Sequence, residues 1–210
     1  MTKVKFCGIT RVEDAEHAVS LGAWAVGMIL WAGSARVVLP QEAADIADAV
    51  RRRAEVVGVF VNQDLDELVT LTDDIGLTIV QLHGEEGPAY AREVARRTGA
   101  KVIKAARVHD SGDVKGLSVY GTDFHLLDSY VPGRQGGTGE TFAWDLAGAH
   151  RSRTPVILSG GLTPDNVAAA VASAHPFAVD VASGVESSPG IKDHALMARF
   201  AQALAPGVHA

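Results

Sequence analysis

The sequence predicts a closed (β/α)8 barrel, an α/β fold, and three observations carry that expectation. Eight short apolar runs recur along the chain, with longer stretches of helical period between them. Most of the runs lack a polar alternate face, which is how strands buried on both sides of a parallel sheet read. Eight such units within 210 residues fit a closed barrel with short loops better than an open doubly wound sheet, and no GxGxxG follows the first run. One domain over residues 1–210 is expected, because barrels of this length commonly fold as one unit.

The first run, VKFCG at 4–8, ends in the chain's only cysteine and a glycine. WAVGMILW at 24–31 is the second, and the segment PQEAADIADAVRRR at 40–53 behind it reads as a helix. Its proline suits a first turn and its closing arginines suit a C-terminus. EVVGVFV at 55–61, LTIVQLH at 77–83 and AKVIKAARV at 100–108 follow as strands three to five. The connection after the fifth, HDSGDVKGLSVYG, has a short, glycine-broken helical pattern. DFHLLDS at 123–129 and PVILSGG at 155–161 are strands six and seven. TPDNVAAAVASA at 163–174 predicts a helix with Thr163 as its N-cap and Pro164 in its first turn, and FAVDVASG at 177–184 is the eighth strand.

Composition narrows the function. Charged residues make up 21% of the chain and the formal net charge is -6, which argues against nucleic acid as a partner and leaves a small anionic ligand open. No apolar stretch reaches the roughly 18 to 20 residues of a membrane helix. Glu13, Asp14 and Glu16 stand where a signal peptide would be apolar, so a cytoplasmic protein is expected. A lone cysteine forms no internal disulfide and should persist as a thiol. The histidines lack close Cys or His partners at ligand spacing, so no metal is expected.

In such barrels the active site lies at the C-terminal ends of the strands. That rule selects Cys7 at the end of strand one, Arg36 in the loop after strand two, His83 at the end of strand four, Asp128 at the end of strand six and Asp180 in strand eight. Two late turns are rich in glycine: LSGGLTPDNV, with Gly160 and Gly161, and VASGVESSPGIKD, with Ser183 and Gly184 leading into a short extra helix. Glycines let a phosphate approach the backbone, where N–H groups and a helix dipole receive its charge, and this pair of loops is a phosphate site in many barrels. Each turn alone also reads as a tight turn and nothing more.

Cys7 reads either as a small apolar filler or, at the mouth of the barrel beside Gly8, as a base that needs only a modest lowering of its pKa. Asp128 ends FHLLD, and a carboxyl among apolar neighbours can hold a proton to donate; the alternative is a cap through Ser129 and Tyr130. Strands one and six stand far apart around a barrel rim, so the two residues would work on different atoms of one substrate. Arg36, in a loop otherwise without charge, suits a carboxylate grip. His83 reads as a strand-end hydrogen bonder or a ligand contact. Lys104 lies before its strand's end, which favours a buried ion pair or a snorkelling stem over a Schiff-base nucleophile.

The motifs KFCGIT, GVFVN, VQLHGEE, LLDS followed by GGTGETFAW, LSGGLTPDNV and VDVASGVESSPGIKD, in that order from Lys5 to about Asp193, resemble the phosphoribosylanthranilate isomerase family of tryptophan biosynthesis. The resemblance implies a barrel that performs an Amadori rearrangement of a phosphorylated small molecule without metal or organic cofactor. It implies Asp128 as general acid, Cys7 as general base, Arg36 on the substrate carboxylate, the glycine turns on the phosphate and Asp180 on a sugar hydroxyl. A related histidine-pathway isomerase would use two aspartates, against which Cys7 speaks. Indole-forming lyases of the superfamily would use strand-end lysines, which are not found. A binding protein without turnover is the third alternative, opposed by the intact Cys7 and Asp128.

The chain departs from the family pattern in SARVVLP, where SPRYVSP is usual, at Ala35, Val37 and Leu39, and in GGTGETFAW at Glu140 and Ala143. Glu140 sets a negative side chain near a doubly anionic substrate, which weakens binding unless it points to solvent. The glycines of YVPGRQGGTGETF predict a lid-like loop. Sequence does not decide between monomer and homodimer.

Overall fold

The computed structural model describes residues 1–128, 144 and 146–205. Eight parallel strands close into a barrel in sequence order: β1 (Lys3–Cys7), β2 (Ala25–Ile29), β3 (Glu55–Phe60), β4 (Ile79–Leu82), β5 (Lys101–Arg107), β6 (Phe124–Asp128), β7 (Val156–Ser159) and β8 (Ala178–Val181). The predicted α/β barrel is therefore the observed one. Between and after the strands run α1 (Val12–Ser20), α2 (Pro40–Val50), α3 (Leu65–Ile75), α4 (Pro88–Thr98), α5 (Ser111–Gly116), α6 (Val167–Ala174) and α7 (His194–Gln202). A two-stranded antiparallel hairpin, β9 (Glu186–Ser188) and β10 (Ile191–Lys192), stands between β8 and α7.

Strand parity sorts the side chains into two compartments, because successive residues of a strand point to opposite faces. Phe6, Val26, Val56, Val80, Leu82, Leu158, Val179 and Val181 point outward and pack with the helices in the larger core. Ala25, Val57, Ile79, Ile103, Phe124, Leu126, Ile157 and Ala178 point inward and fill the lower barrel. Trp24, Phe124 and Phe177 close its floor, with ring centroids 5.2 to 5.3 Å apart. The same inward parity, two residues further along each strand, carries Gln81, Asp128, Ser159 and Asp180 into the upper barrel, where Lys5 and Cys7 of β1 join them. Packing is thus apolar below and polar above, and the polar end is where the strands finish.

Three helical segments differ from the expectation. Helix α6 starts at Val167 with Asn166 as its N-cap residue, and not at Thr163. The Asn166 amide oxygen accepts the Thr163 N–H at 2.8 Å and its nitrogen donates to Gly161 O at 3.0 Å. An asparagine side chain competes for the local backbone in this way and makes residues 163–166 a turn that also ties down the glycine bend. The short extra helix after β8 is a single 3-10 turn, Ser183–Val185, and the chain continues as the β9–β10 hairpin through Gly190 at φ 83°. Helix α2 ends at Val50, leaving Arg51 to Arg53 in a turn with Arg52 at φ 67°. The fifth connection is as short as its glycines suggested: the six residues of α5 followed by a 3-10 turn at Leu117–Val119. Ser129, Tyr130, Glu140, Ala143 and the YVPGRQGGTGETF loop lie outside the described residues.

The outward face of β6 carries the buried His125, paired with the half-buried His150. His125 Nδ1 lies 2.8 Å from His150 Nε2, and burial, with His150 second, lowers the His125 imidazole from 6.5 to about 4. The unfolded chain binds this proton near 6.5 and the folded one only near 4, so the unfolded state holds more protons between those values. Stability therefore falls as the pH drops through that window, by on the order of 2–3 kcal/mol from this group, and levels off below it. Urea midpoints measured from neutral pH downward should decline in the wild type. The His125→Asn variant, though less stable at neutrality, should show a much flatter profile over the same range.

Candidate active site

Cys7 is the last residue of β1 and is 6% exposed at the barrel mouth. Its register partner on β2 is Gly27, where an added Cβ would stand 3.0 Å from Cys7 Sγ and 3.1 Å from Lys5 Nζ. Gly27 thus leaves the space in which thiol and ammonium lie side by side. Lys5 is completely buried and donates to Asp180 Oδ1 at 2.8 Å, its register partner across the β1–β8 seam. Ser159 Oγ lies 3.4 Å from the other oxygen, Asp180 Oδ2. Burial raises the Cys7 pKa and Asp180 adds to it, while Lys5 and Lys192 pull the other way and do not cancel the rise. The modest lowering expected from sequence is corrected to a raised value, because desolvation of the thiolate outweighs the two nearby cations.

Arg36 reaches the same mouth from the loop after β2. Gly8, at φ 69°, lies directly beneath it: a Cβ there would meet Arg36 Cδ at 2.7 Å. The guanidinium is already paired, its Nε 2.9 Å from Glu186 Oε1 and its Nη2 2.7 Å from Glu186 Oε2. Glu186, 4% exposed, also accepts from the buried Lys192 Nζ at 2.8 Å, and Lys192 donates to Ala182 O at 3.1 Å. Burial would raise the Glu186 carboxyl, but the hydrogen bonds from Arg36 and Lys192 hold it below its ordinary range. The loop around Arg36 has no charge of its own, yet the structure brings it a carboxylate from β9, 150 residues away. Sequence reasoning missed Glu186, Lys192 and Lys5, and the one signal available was their inclusion in the quoted motifs.

On the other side of the mouth, Asp128 ends β6 and its Oδ2 lies 3.2 Å from His83 Nε2. Gln81, inside β4, donates its amide to His83 Nδ1 at 2.8 Å. With Nδ1 accepting, the imidazole proton is assigned to Nε2, facing the carboxylate. His83 and Asp128, read separately from sequence, form one pair, and His83 is the strand-end hydrogen bonder. In barrel order β6 stands three strands from β1 by way of β7 and β8.

The glycine turns after β7 and β8 are packed together. Gly160 and Gly161 adopt φ 91° and 64°, conformations that favour glycine. An added Cβ on Gly184 would stand 1.9 Å from Leu162 O, so only glycine lets the two loops touch. Ser183 and Gly184 form the 3-10 turn that faces this bend. Lys104, by contrast, points outward and is tied to Glu86 Oε2 at 2.8 Å and Gly84 O at 2.6 Å, the buried ion pair expected of it. Among the described residues there is no cluster of three or more His, Cys, Asp or Glu placed to hold a metal, and no helix is long and apolar enough to cross a membrane.

Residues 4–203 match the family model for N-(5'-phosphoribosyl)anthranilate (PRA) isomerase. An N-(5'-phosphoribosyl)anthranilate isomerase of Citrifermentans bemidjiense is 50% identical over 193 residues, covering 92% of each chain. The crystal structure of the phosphoribosylanthranilate isomerase of Thermotoga maritima superposes with a TM-score of 0.88 at 39% identity, covering 97% of this chain and 98% of that one. A phosphoribosylanthranilate isomerase in complex with reduced 1-(o-carboxyphenylamino)-1-deoxyribulose 5-phosphate superposes with a TM-score of 0.83 at 36% identity, covering 96% and 97%.

The contact at Gly184 gives a prediction independent of turnover. Gly184→Ala must push the β7 and β8 loops apart and should lower stability by about 2 kcal/mol or more. Gly161→Ala meets no neighbour within 4 Å and should cost only its left-handed φ, about 1 kcal/mol. Urea unfolding separates the two.

Proposed function

This chain belongs to the phosphoribosylanthranilate isomerase family, and from that premise we propose that Cys7 and Asp128 are the base and acid of its reaction. It is an isomerase of tryptophan biosynthesis that converts N-(5-phosphoribosyl)anthranilate into 1-(2-carboxyphenylamino)-1-deoxyribulose 5-phosphate. The observation that carries the residue assignment is the placement of Cys7 and Asp128 at the inward ends of β1 and β6 around one mouth. That mouth also holds a guanidinium and a glycine-lined bend.

In this reading the Asp128 carboxyl, held by His83, gives its proton to the ribose ring oxygen. The C1–O bond breaks and the nitrogen lone pair forms a C1=N⁺ imine. The Cys7 thiolate then removes the C2 proton, and the freed electron pair makes C1=C2 while the C=N pair returns to nitrogen. The resulting enolamine takes a proton at C1 as its C2 hydroxyl gives one up, leaving the ketone. Exchange with solvent restores both side chains. No cofactor is needed for this sequence of proton transfers.

The remaining roles follow from where charge falls on the substrate. Glu186 occupies the Nε–Nη2 edge of Arg36, which turns the Nη1 side, without a partner among the described residues, toward the substrate carboxylate. His83 contacts the sugar beside Asp128, and Asp180 accepts from a sugar hydroxyl above its pair with Lys5. Gly160, Gly161, Ser183 and Gly184 receive the phosphate on their backbone. A cytoplasmic place fits this reading, since a working thiol needs a reducing compartment.

Steady-state turnover of phosphoribosylanthranilate, generated in situ and followed by its fluorescence, tests the assignment. Cys7→Ala and Asp128→Asn should each lose about two or more orders of magnitude in kcat; near-normal turnover in either removes that residue from its role. Arg36→Met should raise KM by about tenfold or more with a smaller change in kcat, since the carboxylate lies away from the reacting carbons.

A further inference from the structure

Lys5 has no role in the reaction as written, yet the fold commits a charge to it at the most expensive place available. Its ammonium is fully buried inside the barrel, between the apolar lower layer and the mouth. A buried ion pair is weak evidence of a stability role, because well-packed apolar residues of similar volume commonly serve as well or better. What Lys5 does have is two neighbours chosen by strand register: Asp180 across the β1–β8 seam, at 2.8 Å, and Cys7, two residues along the same inward face, whose Sγ lines the space over Gly27 together with the Lys5 Nζ. Gly27 keeps the intervening space open to both groups at once.

We propose that Lys5 is a positioning residue for catalysis: clamped by Asp180, its ammonium stabilises the Cys7 thiolate once it forms and aims it at the substrate. This inference rests on Cys7 being the base assigned above. An ammonium has three donors and no acceptor, so it can serve a carboxylate and a thiolate together and offers nothing to a neutral thiol's proton. Burial would strip the proton from Lys5, but Asp180 and Cys7 outweigh burial and raise its pKa, so the charge is permanent. When Cys7 ionises its proton goes to solvent and the electron pair stays on sulfur beside Lys5. Once the thiolate has taken the C2 proton, Lys5 keeps Asp180 alone.

Other charges face Cys7 and are otherwise engaged. Lys192, from β10, and Arg36, from the loop after β2, act on it only at a distance and are both bound to Glu186. Asp180, from β8, opposes ionisation of the thiol. Lys5 is the cation that shares with Cys7 Sγ the space left open over Gly27.

Cys7 is the chain's only cysteine, so its alkylation by iodoacetamide reports one group in the intact protein without substrate. Alkylation rates would be followed between about pH 6 and 10 for wild type, Asp180→Asn and the double variant Lys5→Met/Asp180→Asn. The double variant removes both buried charges together and strands neither. With the opposing carboxylate gone, Asp180→Asn should ionise at lower pH than wild type. The double variant should titrate about one unit or more above Asp180→Asn, the step that belongs to Lys5. Coincident titrations for those two variants would overturn the proposal, as would a shift of Asp180→Asn to higher pH. The base assignment itself stands or falls separately, on turnover by Cys7→Ala.

Discussion

Closure of the barrel between β1 and β8 is the constraint on which the rest depends. Until the first strand pairs with the last, Lys5 and Asp180 are two charges 175 residues apart; once it does, they are register neighbours at 2.8 Å with no water around them. Their pairing is worth little in solvent and much in the desolvated interior, so each is tolerable only in the closed state. The same seam sets the parity of β1 and β8, and parity decides that Cys7 faces the mouth while Phe6 faces α7 across Phe200. A slip by one residue would exchange them and leave a lysine among the helices.

A second buried network hangs from this seam and gives the mouth its local sign. Glu186 and Lys192 sit on the hairpin that follows β8, and Arg36 reaches over from the loop after β2. Asp14, buried on α1, fastens the hairpin from below by accepting from Arg11 at 2.8 Å, His194 at 2.8 Å and the Lys192 N–H at 3.2 Å. Two cations share the single Glu186 carboxylate, so the cluster keeps a net positive charge. A chain of net charge -6 therefore carries a local excess of one cation at this corner of the mouth, because neighbouring groups and not the total decide the field there.

What was legible in the sequence follows from the kind of signal each feature leaves. Parallel strands buried on both faces leave long apolar runs, so all eight were visible in order. Gly160, Gly161 and Gly184 are legible because a left-handed φ or a carbonyl contact admits only glycine. Cys7 and Asp128 are visible as polar residues that end apolar runs. Lys5 sits one residue from Phe6 inside such a run, and only inward parity joined to a partner on β8 distinguishes it from a solvent-facing stem. Glu186 looked like one more polar residue in a glycine turn until the fold set it against Arg36. The direction of the Cys7 shift depends on how much water the closed barrel removes, which residue spacing does not carry. Thr163 failed as an N-cap for a local reason: Asn166, three residues on, bonds the Thr163 N–H and holds that turn out of the helix.

Gln81 bears on the proton balance of the His83–Asp128 pair. Gln81 is fully buried, and its Oε1 has no hydrogen-bond partner among the described residues, a desolvation cost on the order of 1–3 kcal/mol. With its amide nitrogen toward His83 Nδ1, the His83 proton sits on Nε2 and Asp128 accepts as a carboxylate. Turning the amide over would satisfy Oε1 through an Nδ1–H and leave Nε2 to accept from a protonated Asp128. The two arrangements differ by one proton on Asp128, the carboxyl proposed above as the acid. A buried donor–acceptor group that fits either state by rotating about its last bond avoids stranding a charge in both. That is a physical reason for an amide, and not an apolar residue, one layer below a carboxyl proposed to cycle between the two states.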